Sequence, residues 1–213
     1  MSDPAYQPFP SELLSKPGDP VWEIAYLFPP QGSWSAEEYL ALGTNRLIEF
    51  DNGCLEVLPM PTLAHQLMVQ FLYHALHAFV SQRGLGQVLF APLPVRLWAD
   101  KYREPDIVFL RPERMRDLDS QPDGADLVVE VLSGGETNRR RDLVDKRQDY
   151  ARADISEYWI VDPEQQTAEV LTLDGAAYRT HGLFREAKTA TSSLLSGFSV
   201  ALAEVFAAAE PGT

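Results

Sequence analysis

The strongest periodicity along the chain is helical. Leu67, Phe71, Leu72, Ala75, Leu76, Phe79 and Val80 recur at three- and four-residue intervals, the spacing of one apolar stripe on an α-helix. Thr62 stands where a side chain would accept the first free amides, and Gly84 where such a helix would stop. The pattern predicts a long core helix between them. Upstream, Ser35 and Glu38 have capping-box spacing and open a short helix through Tyr39 and Leu42, with Gly43 as its end. Residues 46–50 and 54–58 read as two strands joined by Asp51-Asn52-Gly53, a hairpin signal. Residues 87–91, 95–98 and 106–110 read as further strands. Pro92, Pro94 and the stretch 99–103 supply the breaks, and a meander is the simplest connection.

Residues 127–132 are apolar at nearly every position, as expected of a strand covered on both faces in a mixed sheet. Glu130 interrupts the run. A helix over about 139–153 and a second buried-type strand at 158–161 then predict a strand, a crossover helix and a parallel strand. Residues 168–173 pair back through a polar turn, Asp174-Gly175 marks another hairpin, and 200–209 read as a last small helix. The fold class expected is α/β.

Composition narrows the setting. The 213 residues are 45% hydrophobic, enough for a real core. One domain with terminal extensions is expected: an extended arm over 1–34, a domain over 35–206 and a tail over 207–213. The arm is rich in Pro, Gly and Ser, and its Trp22, Tyr26 and Phe28 suggest that it docks, either on a second copy as a homodimer or on the chain's own core. No apolar run is long enough for a membrane span and the N-terminus lacks a leader pattern, so a cytoplasmic protein is expected. Cys54 has no cysteine partner and reads as a packing residue.

The formal net charge of −13 argues against indiscriminate adhesion to a polyanion. Any nucleic-acid contact needs a local basic patch. Arg139, Arg140, Arg141, Lys146, Arg147 and Arg152 crowd one segment, as a patch or as a solvated helix face.

Chemistry points first to Glu130. An ionised carboxylate among Val128, Val129, Val131 and Leu132 is costly to bury unless it is paired or binds a cation. Asp106 opens the preceding strand after Glu104-Pro105, where it either bonds its own turn or sits at a sheet edge. Two carboxylates on neighbouring strands can converge on one hard cation such as Mg²⁺, a geometry suited to phosphodiester hydrolysis. The alternative for Glu130 is a buried salt bridge to the following helix. On that helix Leu143, Val144, Tyr150, Ala151 and Ala153 share a broad face, with Lys146 at its edge and Arg147 nearer its centre. Either cation can present its head at the strand ends, or pair with Asp142 or Asp149 along the helix.

The order Glu104-Pro105-Asp106-Ile107-Val108-Phe109, Asp126-Leu127-Val128-Val129-Glu130-Val131-Leu132-Ser133, Arg141-Asp142-Leu143 to Lys146, Tyr150-Ala151-Arg152-Ala153 and Glu157-Tyr158-Trp159-Ile160-Val161-Asp162-Pro163 resembles the Uma-two family of the PD-(D/E)XK nuclease superfamily. The resemblance spans about 35–206. It implies a restriction-endonuclease-like fold, a mixed central sheet flanked by helices with an added N-terminal helix and hairpin. It also implies hydrolysis of nucleic acid, DNA foremost, with Mg²⁺ or Mn²⁺ on ligands matching Asp106 and Glu130. The superfamily's lysine position holds Leu132 here, and the lysine of this family matches Lys146 on the next helix. Glu49 resembles the acid before the family's Asp-Gly turn, as a further ligand or water-binding acid or else a solvent-facing strand residue. His65 matches a histidine near the start of the long helix, as an auxiliary proton or phosphate contact or as a residue bonding water or a carbonyl. Arg139, Arg140 and Arg141 would contact the nucleic-acid backbone. Gly134-Gly135 replaces the family's Pro-Ser-Thr-like turn, and with the net acidity it favours a rival, a catalytically silent interaction module; a third reading is a hydrolase of a small phosphorylated molecule, of which low net charge and a narrow pocket would be the sign.

Overall fold

The structure, a computed structural model, describes residues 28–210 apart from 45 and 116; Trp22 and Tyr26 of the expected docking arm lie outside them. The capping box forms: Ser35 and Glu38 bond reciprocally and open α1 (Ala36–Leu40). β1 (Ile48–Asp51) and β2 (Cys54–Val57) make the first hairpin, with Asn52 and Gly53 both at positive φ, as its two-residue turn requires. α2 (Leu63–Arg83) runs from the Thr62 cap to Gly84, which takes the left-handed conformation. β3 (Gln87–Phe90), β4 (Val95–Trp98), β5 (Lys101–Arg103) and β6 (Ile107–Leu110) follow, then a 3₁₀ turn at Pro112–Arg114.

β7 (Leu127–Val131) leads into a helix in three parts: α3 (Glu136–Arg140), a π-helical stretch (Arg141–Asp145) and α4 (Lys146–Arg152). The rest is β8 (Glu157–Asp162), β9 (Thr167–Asp174), β10 (Ala177–Arg185), β11 (Thr189–Thr191), β12 (Ser199–Ala201) and α5 (Leu202–Ala207). No helix among the described residues is long and apolar enough to cross a membrane.

The central sheet has the order β10-β9-β8-β7-β6-β3. β7 and β8 are its parallel pair, joined over one face by the α3–α4 helix, and the other pairings are antiparallel. Alternation along β7 divides the core. Leu127, Val129 and Val131 pack with α2 and α5, while Val128 and Leu132 join Tyr150 and Ile155 on the crossover side. Glu130 shares that second face.

A meander through 87–110 does not form. β3 pairs with β6 in the central sheet, whereas β4 leaves it and pairs with β5 in a separate sheet of order β2-β1-β5-β4. The polar stretch read as a break therefore contains a strand, and all three of its residues are buried. Lys101 and Arg103 tolerate burial because carboxylates from β1 and α4 meet them. Tyr102 packs with Tyr39, Ile48 and Phe50 beneath α1.

Candidate active site

The crossover helix decides which cation faces the sheet. An uninterrupted 3.6-residue helix would bring Val144 inward and Arg147 near the centre of the buried face. Instead Val144 is 43% exposed, Arg147 is only half-buried and reaches toward Glu169 of β9 at 4.0 Å, and Lys146 is 2% exposed. The wider π turn over Arg141–Asp145 accommodates an extra residue and rotates the phase of the helix beyond it.

Lys146 meets Glu130 there. Its Nζ donates to Glu130 Oε1 at 2.8 Å, and Tyr150 OH donates to the same oxygen at 2.6 Å. The ammonium also lies 3.2 Å from Asp142 Oδ1 and 3.4 Å from Glu49 Oε1. Burial works against its charge, but Glu130, Glu49 and Asp142 outweigh it and keep Lys146 protonated far above neutrality. Glu130 moves upward: burial favours its neutral form and Asp142, Asp106 and Glu49 repel its charge, against the attraction of Lys146. Burial is the largest of these influences, and with the crowded carboxylates it outweighs the lysine.

Asp106 stands just before β6 begins. The last β6–β7 partners are Ile107 and Val129, and beyond them Asp106 Oδ2 accepts the amide of Val131 at 2.7 Å. Its side chain thus bonds the neighbouring strand rather than its own turn. His65, from the first turn of α2, reaches the same place, with Nε2 3.2 Å from Asp106 Oδ2 and 3.0 Å from the Val131 carbonyl. Both neighbours are acceptors, so Nε2 carries a proton. Nδ1 is buried without a hydrogen-bond partner. Burial opposes charging the ring, yet the Asp106 bond and charge raise its pKa.

His65, Asp106, Glu130, Asp142 and Lys146 line one small cleft with a volume of about 40 Å³, which Glu49 and Tyr150 do not line; it has room for an ion or a water or two. Glu104, Asp106, Glu130 and Asp142 supply its carboxylates, and Arg141 and Lys146 its cations. In the sequence, Glu104 stands out only as part of a motif. Here burial, together with the nearby charge of Glu49, pushes it up to about 7, and its Oε2 is buried with no hydrogen bond. One or two carboxylates of this wall suit a hard cation that keeps most of its water. No group of three or more His, Cys, Asp or Glu among the described residues is placed so that it could hold a metal ion together.

Glu49, considered as a ligand, has both oxygens engaged. Oε2 pairs with Arg103, while Oε1 takes the Glu104 amide at 3.2 Å and faces Lys146. Burial favours its neutral form, but Lys146 and Arg103 bring it down to about 2. The three arginines also separate. Arg139 grips Asp162 through both terminal nitrogens, Arg141 is buried between Glu56 and Asp142, and Arg140 is exposed. His74 is exposed on α2, away from the cleft. The pairing of Lys146 with Asp142, expected along the helix, forms; Tyr150, read only as part of the helix's apolar face, proves to be a hydrogen-bond partner of Glu130 four residues from Lys146. Arg103 was hidden in a stretch read as a break.

Residues 36–203 match the profile of the Uma2 family, described as "Putative restriction endonuclease". The fold is similar to the crystal structure of a "putative nuclease belonging to DUF820" from Anabaena variabilis. The TM-score is 0.68 at 18% identity, over 83% of this chain and 99% of that one. No curated protein matches the chain. With the family profile running from α1 into α5, the chain belongs to the Uma2 family of putative restriction endonucleases.

Proposed function

We propose that this protein is a divalent-metal-dependent endonuclease that hydrolyses phosphodiester bonds of nucleic acid, DNA foremost. Asp106 and Glu130 hold Mg²⁺ or Mn²⁺ in this reading, and Glu104 is a further acid at the same wall. The cation supplies Lewis-acid neutralisation of the phosphodiester and makes water a stronger nucleophile at neutral pH. Lys146 donates to the oxyanion that develops in the transition state. Glu49 and Asp142 position that ammonium, and Tyr150 orients Glu130. His65, fixed through Nε2 by Asp106, offers Nδ1 as a site for a travelling proton. Arg140 and Arg141 contact the backbone beside the cleft.

The observation that carries this reading is the meeting of Asp106, Glu130 and Lys146 in one cleft, with Glu130 and Lys146 2.8 Å apart. A fold retained for interaction alone draws on a different observation: the cleft is small, and Glu130 Oε1 already holds both Lys146 and Tyr150. Purified protein and a Glu130→Ala variant, incubated with single- and double-stranded DNA and RNA and with Mg²⁺ or Mn²⁺, separate the two. The nuclease reading expects cleavage that falls by roughly 10²-fold or more in the variant. Identical product patterns from both proteins would overturn it.

A further inference from the structure

A second depression adjoins the cleft and shares Arg141 with it. It lies between the β1–β2–β5 sheet and the crossover helix, with a volume of about 490 Å³. Its walls hold three buried cations, Lys101, Arg103 and Arg141. On the helix wall Asp149 pairs with Lys101 at 3.1 Å and Arg103 at 2.7 Å, and Asp145 lies beside it; on the hairpin wall the counter-ions are Asp51, 2.6 Å from Lys101, and Glu56, 3.1 Å from Arg141 and 3.7 Å from Arg103. The two sides differ in freedom. The cations are fixed by burial, whereas the Asp51 and Glu56 side chains are both 48% exposed on the hairpin.

Arg141 is also incompletely satisfied. Its Nε makes no hydrogen bond, the Asp142 Oδ1 beside it being 3.6 Å away. Arg140, at the rim, is exposed and has no ion pair among the described residues. A guanidinium hydrogen-bonded to one half-exposed carboxylate, with Asp142 too far to take its Nε, is suited to exchange that carboxylate for a phosphate, because both anions match the same planar donors.

We propose that this groove receives the phosphodiester backbone of a nucleic-acid strand entering the cleft, and that Glu56 is a displaceable phosphate mimic occupying Arg141 until the strand arrives. The inference rests on the nuclease reading and identifies the surface it uses. It also accounts for a backbone-binding groove on a chain of net charge −13: the cations stay masked until a polyanion competes for them. Arg139, turned to Asp162, stands outside this surface.

The test is binding of short fluorescein-labelled single-stranded DNA, duplex DNA and RNA by anisotropy, in chelator so that nothing is cleaved. Glu56→Gln removes a half-exposed competing charge and should tighten binding roughly three- to tenfold in at least one of the three arms. Arg140→Ala should weaken binding in that arm and lower the slope of log affinity against log salt by about one. Arg179→Ala, on β10 beside Asp174, should change neither. Thermal unfolding is followed in parallel. Should Glu56→Gln fail to fold, Glu56→Asp, which withdraws the carboxylate by one methylene, must tighten binding in the same direction. Unchanged or weaker binding by a folded Glu56 variant in all arms overturns the proposal. Cleavage by the parent protein with KM unmoved in Glu56→Gln sinks the groove and leaves the nuclease standing. Tighter, Arg140-dependent binding without cleavage by any variant does the reverse.

Discussion

Replacing Lys146 with Met removes the one ammonium that lies 2.8 Å from Glu130, 3.2 Å from Asp142 and 3.4 Å from Glu49. Methionine has nearly the same reach, so packing changes little and the charge effect dominates. Glu49 keeps Arg103 and Asp142 keeps the more distant Arg141, but Glu130 is left with only the Tyr150 hydroxyl. Breaking a buried pair from one side costs roughly 3–5 kcal/mol. Glu130 can escape part of this cost by taking up a proton, since burial and its acidic neighbours already favour the neutral form. The loss should therefore sit at the low end in mildly acidic buffer and grow as pH rises. With a urea m-value of about 2.5 kcal/mol/M, the midpoint should fall by about 1–2 M, read from the fluorescence of buried Trp159. Lys146→Met with Glu130→Gln should recover about 1 kcal/mol or more, because replacing both partners removes the stranded charge. A single variant within about 1 kcal/mol of the parent, or a double variant less stable than the single, would refute this account.

Three other outcomes are expected. Glu104 holds its proton to about 7 in the folded protein against an ordinary value of 4.5, so the folded state binds more protons between those values and stability falls as pH rises through that window; Glu104→Gln should flatten the urea midpoint there, and an unchanged slope would rule out this carboxyl as the cause. Glu157 accepts from Trp159 Nε1, from both the amide and the hydroxyl of Ser193, from Ser192 Oγ and from the Leu194 amide. Glu157→Gln should cost roughly 2–4 kcal/mol in a thermal melt while leaving activity per folded molecule unchanged, and a selective loss of activity would contradict that structural role. Gly86 has φ +144, and a Cβ there would lie 2.1 Å from the Leu110 carbonyl oxygen; Gly86→Ala should destabilise by at least about 2 kcal/mol, whereas a neutral melt would show that the helix-to-strand corner relaxes freely.

Glu130 and Glu157 show where sequence reasoning reaches its limit. Both are buried carboxylates on adjacent parallel strands, and the rule that buried charge demands a partner applies equally to each. Glu157 finds its partners in the 192–194 segment and ties that loop to the sheet. Glu130 finds Lys146 and Tyr150 at the wall of a cleft. Nothing local in Val-Val-Glu-Val or Ser-Glu-Tyr-Trp separates the two outcomes, because the deciding partners come from elsewhere in the chain.

Legible in the sequence by itself were the features that depend on spacing over a few residues: the Ser35 and Thr62 caps, the Asn52-Gly53 turn, the long helix ending at Gly84, the buried strand 127–132 and its parallel successor. Each is local chemistry, since a cap, a turn or an alternation needs only neighbours along the chain. Asp106, Glu130 and Lys146 were legible as residues but not as a geometry. The tertiary structure alone brought β5 out of a polar stretch, because the acids that neutralise Lys101 and Arg103 come from β1 and α4. It alone inserted the π turn that faces Lys146 inward instead of Arg147. Buried charge is stable only where distant segments supply counter-charge, and that is a property of the folded chain rather than of any window within it.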